Sequence, residues 1–356
     1  MDIDRHDTDA FKDEEWERLE EEPDEDACRQ KLLLYQRKHF VDTAVFDVKV
    51  LRESLVQLTQ HVNFDRSPSR PRMERLLASY LEFMGNMARD HQRFARAIHY
   101  FDKGLNVTAH NHQALEATLL VRRGGAWNSW ARVALLRGEQ DKAQSYFASS
   151  IRDHDAACAL DRWLPPHVKG AAIAAQAAAH ACTVNDQSEL DDALRWMDQA
   201  EQLLDAPISE ESIYRGGNSY LLSFDKERFY LNKAAALLDC VIKDLRAPSR
   251  ALDALAQLPA ESLSRRIQTA SLLLQARAHF ELNDYPLSAT LAGQALALAR
   301  QTRDDSHIIG IDALCRELSA TRANKLLEVA RLKVGILEAN NPEFFAAGYG
   351  DEDDDD

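Results

Sequence analysis

Strand signals are nearly absent from this chain. No stretch alternates β-branched residues at period two, and no Asn-Gly or Asp-Gly pair stands between such stretches, so a sheet-based framework is excluded. Paired cysteines are missing as well. The five, Cys28, Cys158, Cys182, Cys240 and Cys315, lie tens of residues apart and never as Cys-x-x-Cys, and they read as free thiols in a reducing compartment. Long apolar runs are also lacking: the longest small-apolar stretch, 170–182, is interrupted by Gln176 and His180, and the acidic opening holds no charged-then-apolar leader. The expectation is a soluble, cytoplasmic protein with no membrane partner.

Signatures of catalysis are missing too. There is no Gly-x-Ser-x-Gly, no His-Glu-x-x-His and no paired-carboxylate pattern, and an isolated Ser, His or Asp on a helix carries no chemistry by itself. Gly124-Gly125 and Gly216-Gly217 lack the Gly-Lys-Ser or Gly-x-Gly-x-x-Gly contexts that cradle phosphates, so they read as helix breakers or loop tips. His110 and His112 flank Asn111 with no cysteine or acidic cluster at ligand spacing, which fits a joint between helices better than a metal site. The sequence is therefore expected to be no enzyme and to hold no metal and no cofactor.

Charge is abundant but unevenly placed. Residues 1–27 hold 14 acids against 3 bases, and residues 351–356 are all acidic, so the body from 28 to 350 stands at +2 although the chain totals −15. These two ends read as disordered acidic tails, 1–27 and 341–356. A near-neutral body gives no footprint for phosphate neutralisation, so no direct contact with nucleic acid is expected. One basic spot stands out where Arg66, Arg70, Arg72 and Arg75 crowd the joint at Pro68 and Pro71. Such a spot is a solvated joint, or it docks an acidic tail or a phosphate-bearing partner.

Helical periodicity fills the rest. Apolar residues make up 45% of the chain and aromatics 8%, with alanine concentrated in runs such as 170–182, a balance suited to closely packed helices. Prolines fall between periodic segments and mark joints or first turns, since a proline inside a helix costs ~3 kcal/mol. The segments are 32–62, 72–90, 94–106, 115–136, 141–153, 167–182, 189–204, 226–244, 249–258, 262–281, 287–300 and 307–339. Short joints between them imply antiparallel neighbours.

Small and large residues recur at fixed spacing along these segments. One stretch reads Leu81, Met84, Gly85, then Ala97, Phe101, Gly104; a second reads Trp127, Trp130, Ala131, then Ala143, Phe147, Ser150; a third reads Leu272, Ala276, then Ser288, Ala292, Ala295. Asn283-Asp284-Tyr285 and Gly138-Glu139-Gln140 occupy equivalent joints. Two looser hairpins hold Ala193, Met197 and Ala200, and Ala235 with Leu255. The pattern resembles that of tetratricopeptide (TPR) repeats, in which small residues let two helices approach and bulky ones fill the gap. Equivalent residues Ala97, Ala143, Ala193, Ala251 and Ser288 are 37 to 58 apart, longer than the ~34 of the standard repeat.

The arrangement over about 32–320 is similar to the TPR sensor region of bacterial helix-turn-helix regulators and, more distantly, to Rap and NPR-type peptide-responsive regulators. That resemblance rests on the hairpin at 93–101 and on 265–278 with 294–299. It implies an all-α, right-handed α-solenoid of TPR-like hairpins: a helical segment with its basic joint at 28–71, repeats at 72–320 and a capping helix at 321–340. Unlike those regulators, the chain has only a short acidic stretch before residue 32, so a DNA-reading domain is not expected in it. The implied function is that of a sensor or adaptor holding a peptide or protein segment on its concave face. A Rap-like action on a phosphorylated response regulator, or an architectural role in a larger assembly, are the alternatives. On the TPR template, Asn86, Arg132 and Arg277 fall at position 9 of their first helices and Asn128 at position 5, facing the groove; Asn232 also lies on a first helix. Carboxamides suit a peptide backbone and arginines suit a carboxylate.

Overall fold

The computed structural model describes residues 24–38, 48–64, 68–108, 112–205, 224–240, 242, 246–258, 264–302 and 305–341. Among these residues all regular structure is helical. The α-helices are α1 (Glu25–Arg37), α2 (Val48–Phe64), α3 (Arg70–Asp90), α4 (Phe94–Thr108), α5 (Gln113–Leu136), α6 (Gln140–Ala159) and α7 (Pro166–Ala181). They continue as α8 (Gln187–Glu201), α9 (Lys226–Leu238), α10 (Pro248–Leu255), α11 (Arg265–Glu281), α12 (Tyr285–Thr302), α13 (Asp305–Ser319) and α14 (Leu327–Asn340).

Local chemistry sets most of the boundaries. Asp24, Asp186, Asp225 and Ser264 cap helices with their side chains, each accepting from a backbone N–H two or three residues on. Pro71, Pro166, Pro248 and Pro286 sit in first turns, where the missing N–H leaves nothing unpaired. Three joints share one turn. Gln92, Gly138 and Asn283 adopt left-handed φ values of 57°, 75° and 61°. The next residue of each donates back five positions: Arg93 to the Ala88 carbonyl at 2.8 Å, Glu139 to Ala134 at 2.9 Å and Asp284 to His279 at 2.9 Å. This is a Schellman-type helix stop, repeated in the three best-matched hairpins.

Consecutive helices pack as pairs: α3 with α4, α5 with α6, α7 with α8, α9 with α10 and α11 with α12. The first helices are also neighbours in succession, α3 to α5, α5 to α7, α7 to α9 and α9 to α11. Small residues stand where the pairs touch. A Cβ on Gly85 would lie 2.5 Å from Phe101 Cε1, and one on Gly104 would lie 2.9 Å from Leu119 Cδ2. Ala97, Ala131, Ala143 and Ala276 have no exposure, and the Ser288 hydroxyl donates to the Ala276 carbonyl across its hairpin at 2.7 Å. The apolar core is accordingly a series of clusters, the first around Tyr80, Phe83 and Phe101, another around Met197 and Phe229, a third around Leu296, Ile311 and Leu332.

Several expectations change. The segment 32–62 is not one helix: α1 and α2 are separate, and residues 39–47 lie outside the described ones. Helix α1 begins inside the stretch expected as acidic tail, and Cys28 is buried with its carbonyl accepting from the Tyr80 hydroxyl at 2.7 Å. Gly124 and Gly125 are neither breakers nor a tip but lie within α5, where a Cβ on Gly124 would meet the His154 ring at 2.7 Å. The segment 307–339 divides into α13 and α14, because Thr321 starts a 3-10 turn between them. In the fourth hairpin Ala234, not Ala235, is the fully buried residue. Gly216-Gly217, His110, residues 1–23 and residues 342–356 lie outside the described residues.

Candidate functional site

The first helices bring a group of charged side chains together that lie far apart in sequence. Glu82 and Asn86 are one turn apart on α3 and both are fully buried. The Asn86 carboxamide donates to Glu82 Oε1 at 3.1 Å, and Arg122 of α5 donates its Nε to the same oxygen at 3.1 Å. Burial pushes the Glu82 carboxyl up to about 7, against the pull of Arg122 and the Asn86 bond. Arg122 is brought down to about 10 by burial; Glu82 opposes this, while the guanidiniums of Arg228 on α9 and Arg89 on α3 add to it. Guanidiniums from two other first helices therefore act on Arg122. Arg89 is held by Asp90 at 3.0 Å, and Arg228 stands 3.8 Å from Asp225. The Arg122 Nε is committed to Glu82. Asp90, which holds Arg89, is also met by Arg266 of α11, whose Nη1 lies 2.8 Å from its Oδ2.

The residues expected to face a groove lie elsewhere or are already bonded. Asn86 is beneath the surface, under Arg122. Asn128 accepts from Arg132 Nε at 3.1 Å, as one turn of spacing allows, but Arg132 then reaches Asp239 at the end of α9, at 2.5 Å. Arg277 bonds Glu281 at 3.3 Å and Glu317 of α13, and its guanidinium lies 5.4 Å from the Phe280 ring centre. Both arginines thus tie one hairpin to another. Asn232 stands exposed on α9. In the basic joint, Arg70 pairs with Glu74 at 2.9 Å on the first turns of α3, Arg72 is exposed, and Arg75 lies near His112. Arg66 is outside the described residues.

A second polar constellation was not anticipated. Arg123 donates twice to Asp153 of α6, at 2.8 and 2.6 Å, and once to Asp102 of α4, at 2.5 Å. With Ile98, Trp127, Ser149 and Arg152 these residues line a cleft of about 310 Å³. Beside it Trp127, Trp130 and Tyr146 stack, with centroids 4.3 to 5.6 Å apart. One signal for Glu82 was available in the sequence: an acid inside the apolar run Leu81-Glu82-Phe83-Met84 must find a partner or lose its charge.

No group of histidine, cysteine and acid side chains could hold a metal among the described residues, and none of the described helices is long and apolar enough to cross a membrane. No protein-family model matches this sequence, and no curated protein does.

Proposed function

We propose that this chain is a non-catalytic binding protein, a right-handed α-solenoid of TPR-like hairpins that holds a peptide or protein segment on the face its first helices share. On this reading it serves as the sensor or adaptor part of a regulatory pathway. The observation that carries the reading is that the Arg89 and Arg228 guanidiniums, from α3 and α9, bear on Arg122 of α5, which Glu82 holds from beneath. Like charges brought together in a half-buried place repel, and an acidic group from a partner would relieve that repulsion while accepting charge-assisted hydrogen bonds. The recognised segment is therefore one that presents a carboxylate, its own C-terminus or an acidic side chain. Repeat-like hairpins suit such a role because each adds one helix to a continuous surface.

The test uses the full-length protein and peptides identified by co-purification from the native cell, each made with a free and with an amidated C-terminus and with acidic side chains kept or neutralised. Acidic forms bind the wild type, and Arg89→Ala with Arg228→Ala weakens them by about 2 kcal/mol. Equal binding of acidic and neutral forms, unchanged in the double variant, would overturn the reading.

A further inference from the structure

Helix α14 is apolar on two sides. Val329, Leu332 and Ile336 are buried, and α14 packs against α12 and α13. The outward side carries Leu327, Val334 and Leu337, each 50 to 57% exposed, with Ala330 between them. Their spacing of three, four and three residues is that of the a and d positions of a heptad. A helix apolar on both sides is ordinarily covered on both, and the end of a helical array has as a rule a polar outer face.

We propose that this seam is the contact between two copies of this chain, α14 against α14 in parallel. Charge selects both the occupant and its direction. With Leu327 and Val334 at a, Lys333 falls at g and Glu338 at e of the following heptad, the pair that meets between parallel helices, and two-fold symmetry forms it twice. Neither group is used up within the chain: Glu338 meets Arg300 through Oε2 alone, at 2.9 Å, and Lys333 gives one hydrogen bond to Asn324, at 2.6 Å. An antiparallel pairing centred on the seam would set Arg331 against Arg331 and Lys333 against Lys333 of the second copy, which is repulsive. The 14 residues of α14 span ~21 Å, a short seam, but the helix is already folded on the body and loses no further backbone freedom on docking.

Sedimentation and light scattering of the full-length protein over a concentration series decide the matter. The molar mass of the wild type rises from that of one chain, 40.2 kDa, towards twice that value, and Val334→Glu stays at one chain throughout with an unchanged circular dichroism spectrum. Under a mild oxidant Val334→Cys forms a covalent dimer, because a positions face each other in a parallel pair. The wild type, in which Cys158 is partly exposed and the other four cysteines are buried, serves as the control for cross-linking. A wild type that remains one chain at every concentration, as it would if its own C-terminal residues covered the seam, overturns the proposal. So does a dimer that Val334→Glu leaves intact, or one that Val334→Cys fails to cross-link.

Discussion

The Asp90 carboxylate at the end of α3 meets the Arg266 guanidinium at the start of α11 at 2.8 Å, across 176 positions of sequence. Both side chains are mostly buried, at 17 and 23% exposure. The intervening hairpins therefore curve until the first-helix face of one end touches that of the other, and the arginines of the candidate site lie on the enclosed side. Arg266→Ala opens this closure while Asp90 keeps Arg89. The radius of gyration from small-angle scattering increases, and stability falls by about 1 kcal/mol, the scale for a partly exposed ion pair. Unchanged scattering would mean that packing alone holds the curvature.

Gly85 tests the hairpin register. A Cβ there would lie 2.5 Å from a ring carbon of Phe101, which is itself fully buried, so Gly85→Leu costs at least ~1 to 3 kcal/mol by overpacking. The sequence pattern implies that the adjacent Asn86→Ala is harmless, but the structure places Asn86 in the core on Glu82. That variant therefore costs about 1 to 3 kcal/mol, the penalty for stripping a buried polar partner. Asn232→Ala, on an exposed site, stays within about 0.5 kcal/mol. Chemical denaturation midpoints of the three variants separate these effects.

Two buried groups titrate in opposite senses. His154 is 2% exposed, and burial chiefly brings its imidazole down to about 4, with His180 adding to the effect and Asp155 opposing it. Between about 6.5 and 4 the unfolded chain binds a proton there that the folded one refuses, so this contribution to stability is present above pH 6.5 and lost on acidification, on the order of 3 kcal/mol. Glu82 is raised to about 7, so its contribution is present below about 4.5 and lost as pH rises through 7. The two largely cancel in the wild type. His154→Met unmasks a stability that increases as pH falls from 7 to 4.5, whereas Glu82→Gln unmasks one that decreases from 6.5 to 4. Urea denaturation across this range, taken as differences from wild type, reads both slopes.

Gln92 occupies the left-handed turn position that Gly138 fills in the next hairpin. A side chain at such φ costs ~1 kcal/mol or more, and the backbone bond from Arg93 to Ala88 holds the turn in place regardless. Gln92→Gly is expected to raise stability by about 1 kcal/mol and Gly138→Ala to lower it by a similar amount, both read as midpoint shifts at constant denaturant slope.

Helix existence, the hairpin joints and the small residues at the hairpin contacts were legible in the sequence because each depends on neighbours within a few turns. A proline, a capping Asp or a Gly such as Gly85 acts on its own helix and the next. The helix pairs at Gly85 and Phe101, and at Ala276 and Ser288, stand where the spacing places them. The state of the polar side chains could not be read this way. Asn86, Arg132 and Arg277 have the same helical placement as solvent-facing residues, yet each is bonded: Asn86 to Glu82 on its own helix beneath Arg122, Arg132 to Asp239, Arg277 to Glu317. What makes Arg122 and Arg228 candidates is likewise their approach from helices α5 and α9, with Glu82 below. Periodicity fixes which side of a helix a residue occupies, since that is set by 3.6 residues per turn. Which charge meets which is set by how the hairpins curve, and that curvature closes only in three dimensions, at Asp90 and Arg266.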